Sequence, residues 1–349
     1  MAAWLANLSG VEIVGTLVAA AVLYKGVRAV KGAWWSLALY RTQPAYFHDK
    51  VVWITGASSG IGKELALQLA RAAKSNGLKV ILSSRRRDAL EEVKESLTKG
   101  AGMRDADVAV VTLDLMDKDS LGHAVEAAFA CFGRVDILCN NAGVSQRSLA
   151  RMTRIEVYEK LMTIDYVGQL FLTQQYVSKV VDQGKGASGH VVQVSSVAGK
   201  IPAPFRSGYC AAKAALNAYS DVLRLELELE KVDIAVTVIS PGGVQTDVSS
   251  NALDQDGKAF GTSDQVTTQG MRVEKCVAWM LTAISNRLED VCICSNLELF
   301  ATKLFAFLPV GKATAVIKPK YQAYMDKTLN QVKSKAGIET WNRKLKGSS

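Results

Sequence analysis

A chain of 349 residues, 49% hydrophobic and 21% charged, can bury one large core with extensions, which excludes a disordered polymer. Six cysteines at 131, 139, 210, 276, 292 and 294 form no CxxC pair or zinc-site spacing and read as reduced, mostly buried thiols, and His48, His123 and His190, scattered between candidate elements, give a metal cage or a histidine-based triad little support. The formal charge of +9 gathers at the end, where residues 311–349 hold eight Lys and Arg343 against Asp326 and Glu339; without an aromatic-basic, helix-turn-helix or finger pattern, this speaks against nucleic acid and for a membrane surface.

In chain order, the first feature is the apolar run from Trp4 to Tyr24. As a helix it is about 31 Å long, close to the thickness of a bilayer's hydrocarbon core. Glu12 interrupts it and leaves Ile13 to Tyr24 as the best unbroken stretch, a cost for a spanning helix. No Lys or Arg precedes the run while Lys25, Arg28 and Lys31 follow it, the reverse of a cleaved signal peptide, so the segment reads as retained. Trp34, Trp35, Tyr40, Tyr46 and Phe47, interleaved with Arg41, continue in the manner of a headgroup interface. Residues 1–48 are therefore expected to be a membrane anchor and interfacial segment, an N-terminal helix docked on its own domain being the alternative. If the run spans, the positive charges after it place the downstream domain in the cytosol.

Residues 49–295 alternate strand and helix. Strands are expected at Val51 to Thr55, Lys79 to Ser83, Val108 to Leu113, Val135 to Cys139, His190 to Val194, Ile234 to Ile239 and Val291 to Cys294. Helices fall between them at Ile61 to Ser75, Asp88 to Thr98, Ser120 to Phe132, Ile155 to Val181, Gly208 to Glu230 and Val273 to Asn286. Short apolar strands flanked by helices predict an α/β fold, a Rossmann-like doubly wound parallel sheet. Residues 243–272 read as a long polar loop, of the kind that closes over a ligand. Residues 296–349 form a C-terminal extension, an apolar helix and a basic tail. Its run from Leu297 to Val310 carries Leu299, Phe300, Leu304, Phe305, Phe307 and Leu308, which could line a greasy pocket, dip into a bilayer, or pack as a plain core helix with Glu298 and Lys303 outward.

Two patterns carry chemistry. The first strand runs into Thr55, Gly56, Ala57, Ser58, Ser59, Gly60, Ile61 and Gly62 and then a helix, where a pyrophosphate needs bare backbone and a helix N-terminus. Tyr209 and Lys213 are spaced i, i+4 on a helix after the fifth strand, so an ammonium lies beside a phenol and favours its ionised form. Ten Tyr and 26 Lys yield a YxxxK about 0.7 times by chance, and Tyr46 with Lys50 is a second copy. That copy precedes the first strand and cannot face a ligand at the sheet's carboxyl edge.

The TGxxxGIG spacing of Thr55 to Gly62, Asn140-Asn141-Ala142-Gly143 after the fourth strand, and Tyr209-x-x-x-Lys213, in this order, resemble the short-chain dehydrogenase/reductase family over Lys50 to Cys294. Ser195-Ser196 and Pro241-Gly242 agree. The resemblance implies Tyr209 as general acid in reduction and base in oxidation, Lys213 as its partner and a ribose ligand, and Ser196 as donor to the substrate carbonyl. Where the family has Asn, this chain has Asp165, which keeps a backbone carbonyl for a water relay but could pair with Lys213 and blunt its effect. The cofactor residues implied are Thr55, Gly56, Ser58, Ser59, Gly60, Ile61 and Gly62 at the turn and Asp114 at the adenine. Asn141 and Gly143 would lie along the ribose, and Pro241, Gly242, Val244 and Thr246 at the nicotinamide. The second strand ends in Ser84-Arg85-Arg86-Arg87 with no acid, and bidentate arginines suit the 2′-phosphate of NADP(H). Within the family the chain looks like membrane-anchored reductases, which implies a lipophilic ketone, aldehyde or alcohol (a keto-lipid, sterol or retinoid), an endoplasmic reticulum membrane and a possible homodimer. An NAD-dependent oxidative enzyme, and an NADP-binding membrane scaffold with little turnover motivated by Asp165, are the rival readings.

Overall fold

The computed structural model describes residues 39–73, 76–184 and 186–335. The expected anchor over residues 4–24 and the tail beyond 335 lie outside these. Among the described residues no helix is long and apolar enough to cross a membrane.

Seven parallel strands form one sheet in the order β3-β2-β1-β4-β5-β6-β7. They are β1 Val51–Thr55, β2 Lys79–Ser83, β3 Val108–Val110, β4 Ile137–Asn140, β5 Ser188–Val194, β6 Asp233–Pro241 and β7 Asp290–Ile293. The main helices are α1 Gly60–Ala73, α2 Arg87–Glu95, α3 Lys118–Phe132, α4 Ile155–Met162, α5 Gly168–Asp182, α6 Ser207–Leu229, α7 Val273–Ser285, α8 Asn296–Phe307 and α9 Val310–Lys335. The two-residue period of a strand sorts β1 onto two cores. Val52 and Ile54 pack with Leu65, Ala66 and Leu69 of α1 and with Cys276, Val277 and Met280 of α7. Val51 and Trp53 pack with Leu121 and Val125 of α3, Leu172 and Tyr176 of α5, and Leu223 of α6. Both faces are covered, which is why β1 reads as an unbroken apolar run rather than an alternating one. The strand order reverses between β1 and β4, and that reversal opens a crevice at the carboxyl edge.

Two expectations are corrected. β3 ends at Val110 rather than Leu113 because its neighbour β2 ends at Ser83, although the Val111 and Leu113 amides still donate to the Leu82 and Ser84 carbonyls. The helix expected from Ile155 to Val181 is one rod with a π turn, Thr163–Val167, inserted between α4 and α5. The polar loop of residues 243–272 is folded against the domain. It contains the helical turn Gln265–Thr268, buries Ala252, Leu253 and Phe260, and pairs with the segment after β4 through Arg147 N to Leu253 O and Leu253 N to Ser145 O, both 2.8 Å. In the extension, Ser295 and Glu298 form a capping box at the start of α8. Near the end of α9, Val332 packs on Ala252 and Phe260 of the folded loop.

Candidate active site

The carboxyl edge is built outward from β1. Thr55, fully buried, accepts the amides of Asn141 (3.0 Å) and Ala142 (3.1 Å) on its Oγ1 and donates to the Cys139 carbonyl, which ties the glycine turn to β4. Asn141 Nδ2 donates to the carbonyls of Thr55 (3.0 Å) and Gly56 (3.3 Å), so its side chain staples the turn. Gly56 and Gly60 have φ of +66° and +54°, conformations that glycine adopts at no steric cost. A Cβ on Gly56 would lie 2.8 Å from the Ala142 Cα, and one on Gly62 would overlap the Gly56 carbonyl. Backbone is thus bare in front of α1, whose first amides have no partner within the helix. Ile61 is half-buried, while Ser59 faces outward and its carbonyl accepts the Lys63 amide.

On the side of β2, Arg86 Nη2 donates to Ser58 Oγ at 3.2 Å, which brings the end of that strand to the turn, and Arg85 is exposed beside it. Asp114, after β3, accepts the Met116 amide at 3.0 Å and so shapes its own turn. On the side of β6, Thr246 comes close to Gly60: a Cβ there would meet the Thr246 Cγ2 at 3.3 Å. Gly242 donates its amide to Ile293 O, and Val244 pairs with Met271 across a single bridge. Pro241 ends β6, and its carbonyl lies 3.5 Å from Ser196 Oγ.

Ser196, two residues past the end of β5, caps the short turn that follows by accepting the Ala198 amide at 3.1 Å. Tyr209 stands in the first turn of α6, and Lys213 follows one turn later on the same face, its Nζ 5.9 Å from the Tyr209 ring centre. Nζ also donates to the Val194 carbonyl at 3.1 Å and pairs with Asp165 Oδ1 at 3.3 Å. The pairing raised from the sequence is therefore present. The π turn aims the Asp165 carboxylate inward, where it accepts the Val144 amide at 3.2 Å. Gly143 makes room, since a Cβ there would overlap Asp165 Oδ1. Burial pushes the Asp165 carboxyl up to about 6, against the opposing pull of Lys213 and the Val144 amide. The second YxxxK copy is elsewhere: Tyr46 bonds His190 Nδ1 at 2.8 Å, and Lys50 pairs with Asp136.

Three contributors escaped the sequence. Gln146, fully buried, accepts the amides of Gly208 (2.7 Å) and Tyr209 (3.4 Å), capping α6 where Arg206 supplies no side-chain cap. Its separation from α6 left no local signal. Glu298 turns inward to accept the Gly243 amide at 3.2 Å, and the Ser295-x-x-Glu298 spacing was the available sign. Asp264 pairs with Arg147 and, at 2.7 Å, with Arg206, hooking the folded loop to the segment after β4 and to the residue preceding α6. Burial would raise its carboxyl, but the two guanidiniums hold it well below the usual range.

The arrangement fits a dinucleotide along the carboxyl edge: bare backbone at a helix N-terminus for a pyrophosphate, and a phenol, a hydroxyl and an ammonium gathered around β5 and α6. Comparison with known proteins agrees with the fold. The profile of the short chain dehydrogenase family matches residues 50–257. Dehydrogenase/reductase SDR family member 7B of Bos taurus is 37% identical over 267 residues, covering 76% of this chain and 79% of that one. Dehydrogenase/reductase SDR family member 7 of Homo sapiens is 38% identical over 262 residues, covering 75% of each chain. Two solved structures share the fold at 22% identity. A short chain dehydrogenase/reductase of Burkholderia phymatum in complex with NAD has a TM-score of 0.63 and covers 74% of this chain and 93% of its own. An alcohol dehydrogenase of the archaeon Thermococcus sibiricus complexed with 5-hydroxy-NADP has a TM-score of 0.58 and covers 71% of this chain and 97% of its own. With the glycine turn, the tyrosine and lysine on α6 and the parallel sheet in one frame, this chain belongs to the short-chain dehydrogenase/reductase family of oxidoreductases.

Proposed function

We propose that the chain is a membrane-associated, NADP(H)-dependent oxidoreductase that interconverts a lipophilic ketone or aldehyde and its alcohol. The observation that carries this reading is the meeting of Tyr209, Lys213 and the end of β5, where Lys213 Nζ is held by Val194 O and Asp165. When bound, the nicotinamide group supplies or accepts the hydride. In reduction, Tyr209 Oη gives its proton to the substrate oxygen, and Ser196 Oγ turns from the Pro241 carbonyl to donate to the same oxygen. The Lys213 ammonium stabilises the negative charge that develops on the phenol oxygen, while the Asp165 carboxylate, 3.3 Å from it, competes for that charge. In oxidation Tyr209 Oη takes the proton back. Ser195 Oγ, 3.4 Å from the Lys213 carbonyl, ties β5 to α6 and keeps the hydroxyl and phenol in register.

The choice of NADP(H) rests on Arg85 and Arg86 and on the absence of an acid at the end of β2, since solved relatives of this fold hold either dinucleotide. Charge-assisted bonds to a phosphate are worth about 1.5 to 3 kcal/mol each, so Arg86→Glu should weaken NADPH by roughly tenfold to a hundredfold and spare NADH. The apolar N-terminal run and the basic extension with its exposed Phe300 and Phe307 support a lipophilic substrate and a membrane, the endoplasmic reticulum first, with the catalytic domain in the cytosol. Exposed Val222, Leu225 and Leu229 on α6 support pairing of two copies through that helix. The test is oxidation of NADPH and of NADH by the detergent-solubilised chain, offered sphingoid, sterol and retinoid carbonyls. Faster turnover with NADPH on at least one is expected; a preference for NADH would overturn the reading of Arg85 and Arg86.

A further inference from the structure

The corner where α8 meets α9 is apolar, exposed and basic. Phe300 is 52% exposed, Phe307 69% and Val310 58%, with Leu308 and Val316 beside them in the chain. Phe300, Lys303 and Phe307 fall at i, i+3 and i+7, one side of the helix, and Pro309 sits at the tip. The other side of α8 already has its core: Leu299 packs with Val197, Cys292 and Cys294. The outward aromatics are therefore surplus to folding, and a contiguous apolar surface of this kind marks a contact site.

Charge selects the partner. From Leu299 to Met325 the chain carries Lys303, Lys312, Lys318 and Lys320 and no acid at all. Lys312 and Lys318 are exposed and Lys303 is half-buried against the helix. A second copy docking face to face through this corner would set lysines against lysines, because a twofold contact opposes a patch to itself. Aromatic and aliphatic side chains ringed by lysine instead match an anionic bilayer, where the rings enter the acyl boundary and the ammonium groups meet phosphates and carboxylates. We propose that the corner from Phe300 to Val316 docks on an anionic lipid surface, with Phe307, Leu308 and Val310 among the acyl chains and Lys303 and Lys312 at the headgroups. The proposal rests on the membrane reading given above and adds to it a second contact, separate from the N-terminal run, together with the lipid chemistry it needs. It also gives α8 two jobs: its outer face meets the bilayer while Leu299 on its inner face touches Val197, the neighbour of Ser196.

The test uses the full chain bearing Phe307→Trp in phosphatidylcholine vesicles with and without phosphatidylserine, some lipids carrying bromine on the acyl chains. The emission of the unsubstituted chain is subtracted, so that the introduced indole alone is read. Quenching is expected, stronger with phosphatidylserine, and Lys303→Gln and Lys312→Gln should each weaken that anionic preference roughly fivefold. Absence of quenching while the chain sediments with the vesicles would overturn the proposal, as would failure to sediment, or an emission shift that follows protein concentration without lipid. NADPH oxidation recorded in the same samples keeps the two readings apart: quenching decides the docking whether or not turnover is seen, and turnover without quenching leaves the oxidoreductase reading standing.

Discussion

At the scale of one residue, Asp165 stands where the resemblance implies an Asn. A carboxylate inside the fold normally costs more than it returns, and here burial raises it to about 6 even with Lys213 at 3.3 Å. Above pH 6 the carboxylate is charged and draws on the ammonium that Tyr209 needs; as pH falls through 6 it takes up a proton and that competition ends. Carbonyl reduction by the unsubstituted chain should therefore speed up on acidification through about pH 6. Asp165→Asn, which keeps an acceptor for the Val144 amide but has no charge, should lack that inflection and match at pH 8 the rate the parent reaches only in acid. A profile identical to the parent's would show that the pair does not govern proton delivery. Tyr209 and Lys213 were legible because their spacing is local and their order after the fifth strand separates them from Tyr46 and Lys50. Gln146 and Asp264 were not, since each acts on a helix start far away in the chain, and nothing in the adjacent residues records such a contact.

Among the elements, strand and helix were readable wherever a side-chain period repeats, and the misses have physical causes. A π turn leaves the surrounding helical pattern intact, so the insertion at Thr163–Val167 could not be seen, although it aims Asp165 at Lys213. The loop of residues 243–272 looked polar because its anchors are charged. Its hook, Asp264 between Arg147 and Arg206, is buried, with side chains of Asp264 and Arg147 only 2% exposed. Removing one member of such a group costs about 3 to 5 kcal/mol. Asp264→Asn should accordingly lower the unfolding midpoint by several degrees and raise KM for a bulky carbonyl more than it lowers kcat, because the loop loosens over the substrate side while Tyr209 and Lys213 stay on α6. Equal loss in both constants would contradict a role in closing the loop. At the opposite edge His190 joins Tyr46 to Thr237 through bonds of 2.8 Å on each ring nitrogen, and burial lowers its pKa to about 3. The unfolded chain binds this proton near 6.5 and the folded chain does not, so the associated stability is complete above 6.5 and is lost as pH falls toward 3. Thermal unfolding followed between pH 7 and pH 4 should show that loss, and His190→Gln should flatten it.

At the scale of the whole molecule, the doubly wound sheet explains why residues as distant in sequence as Gly56, Asn141, Lys213 and Thr246 share one edge: every strand points its carboxyl end the same way, and the reversal of order between β1 and β4 leaves that edge open. The extension then adds α8 behind Ser196 and brings α9 onto the folded loop through Val332. The sheet could be anticipated from alternation alone, whereas the packing of the extension could not, because a run of apolar residues fits a core, a pocket or a bilayer equally well. The central claim is that the Tyr209 phenol delivers the proton to a carbonyl in this crevice. The most direct measurement compares NADPH binding and carbonyl reduction by the parent chain and by Tyr209→Phe: the account predicts unchanged affinity for NADPH and a turnover lower by about 10² to 10⁴. A variant that still reduces the carbonyl at the parent's rate, or a parent that binds NADPH and turns over nothing, would contradict it.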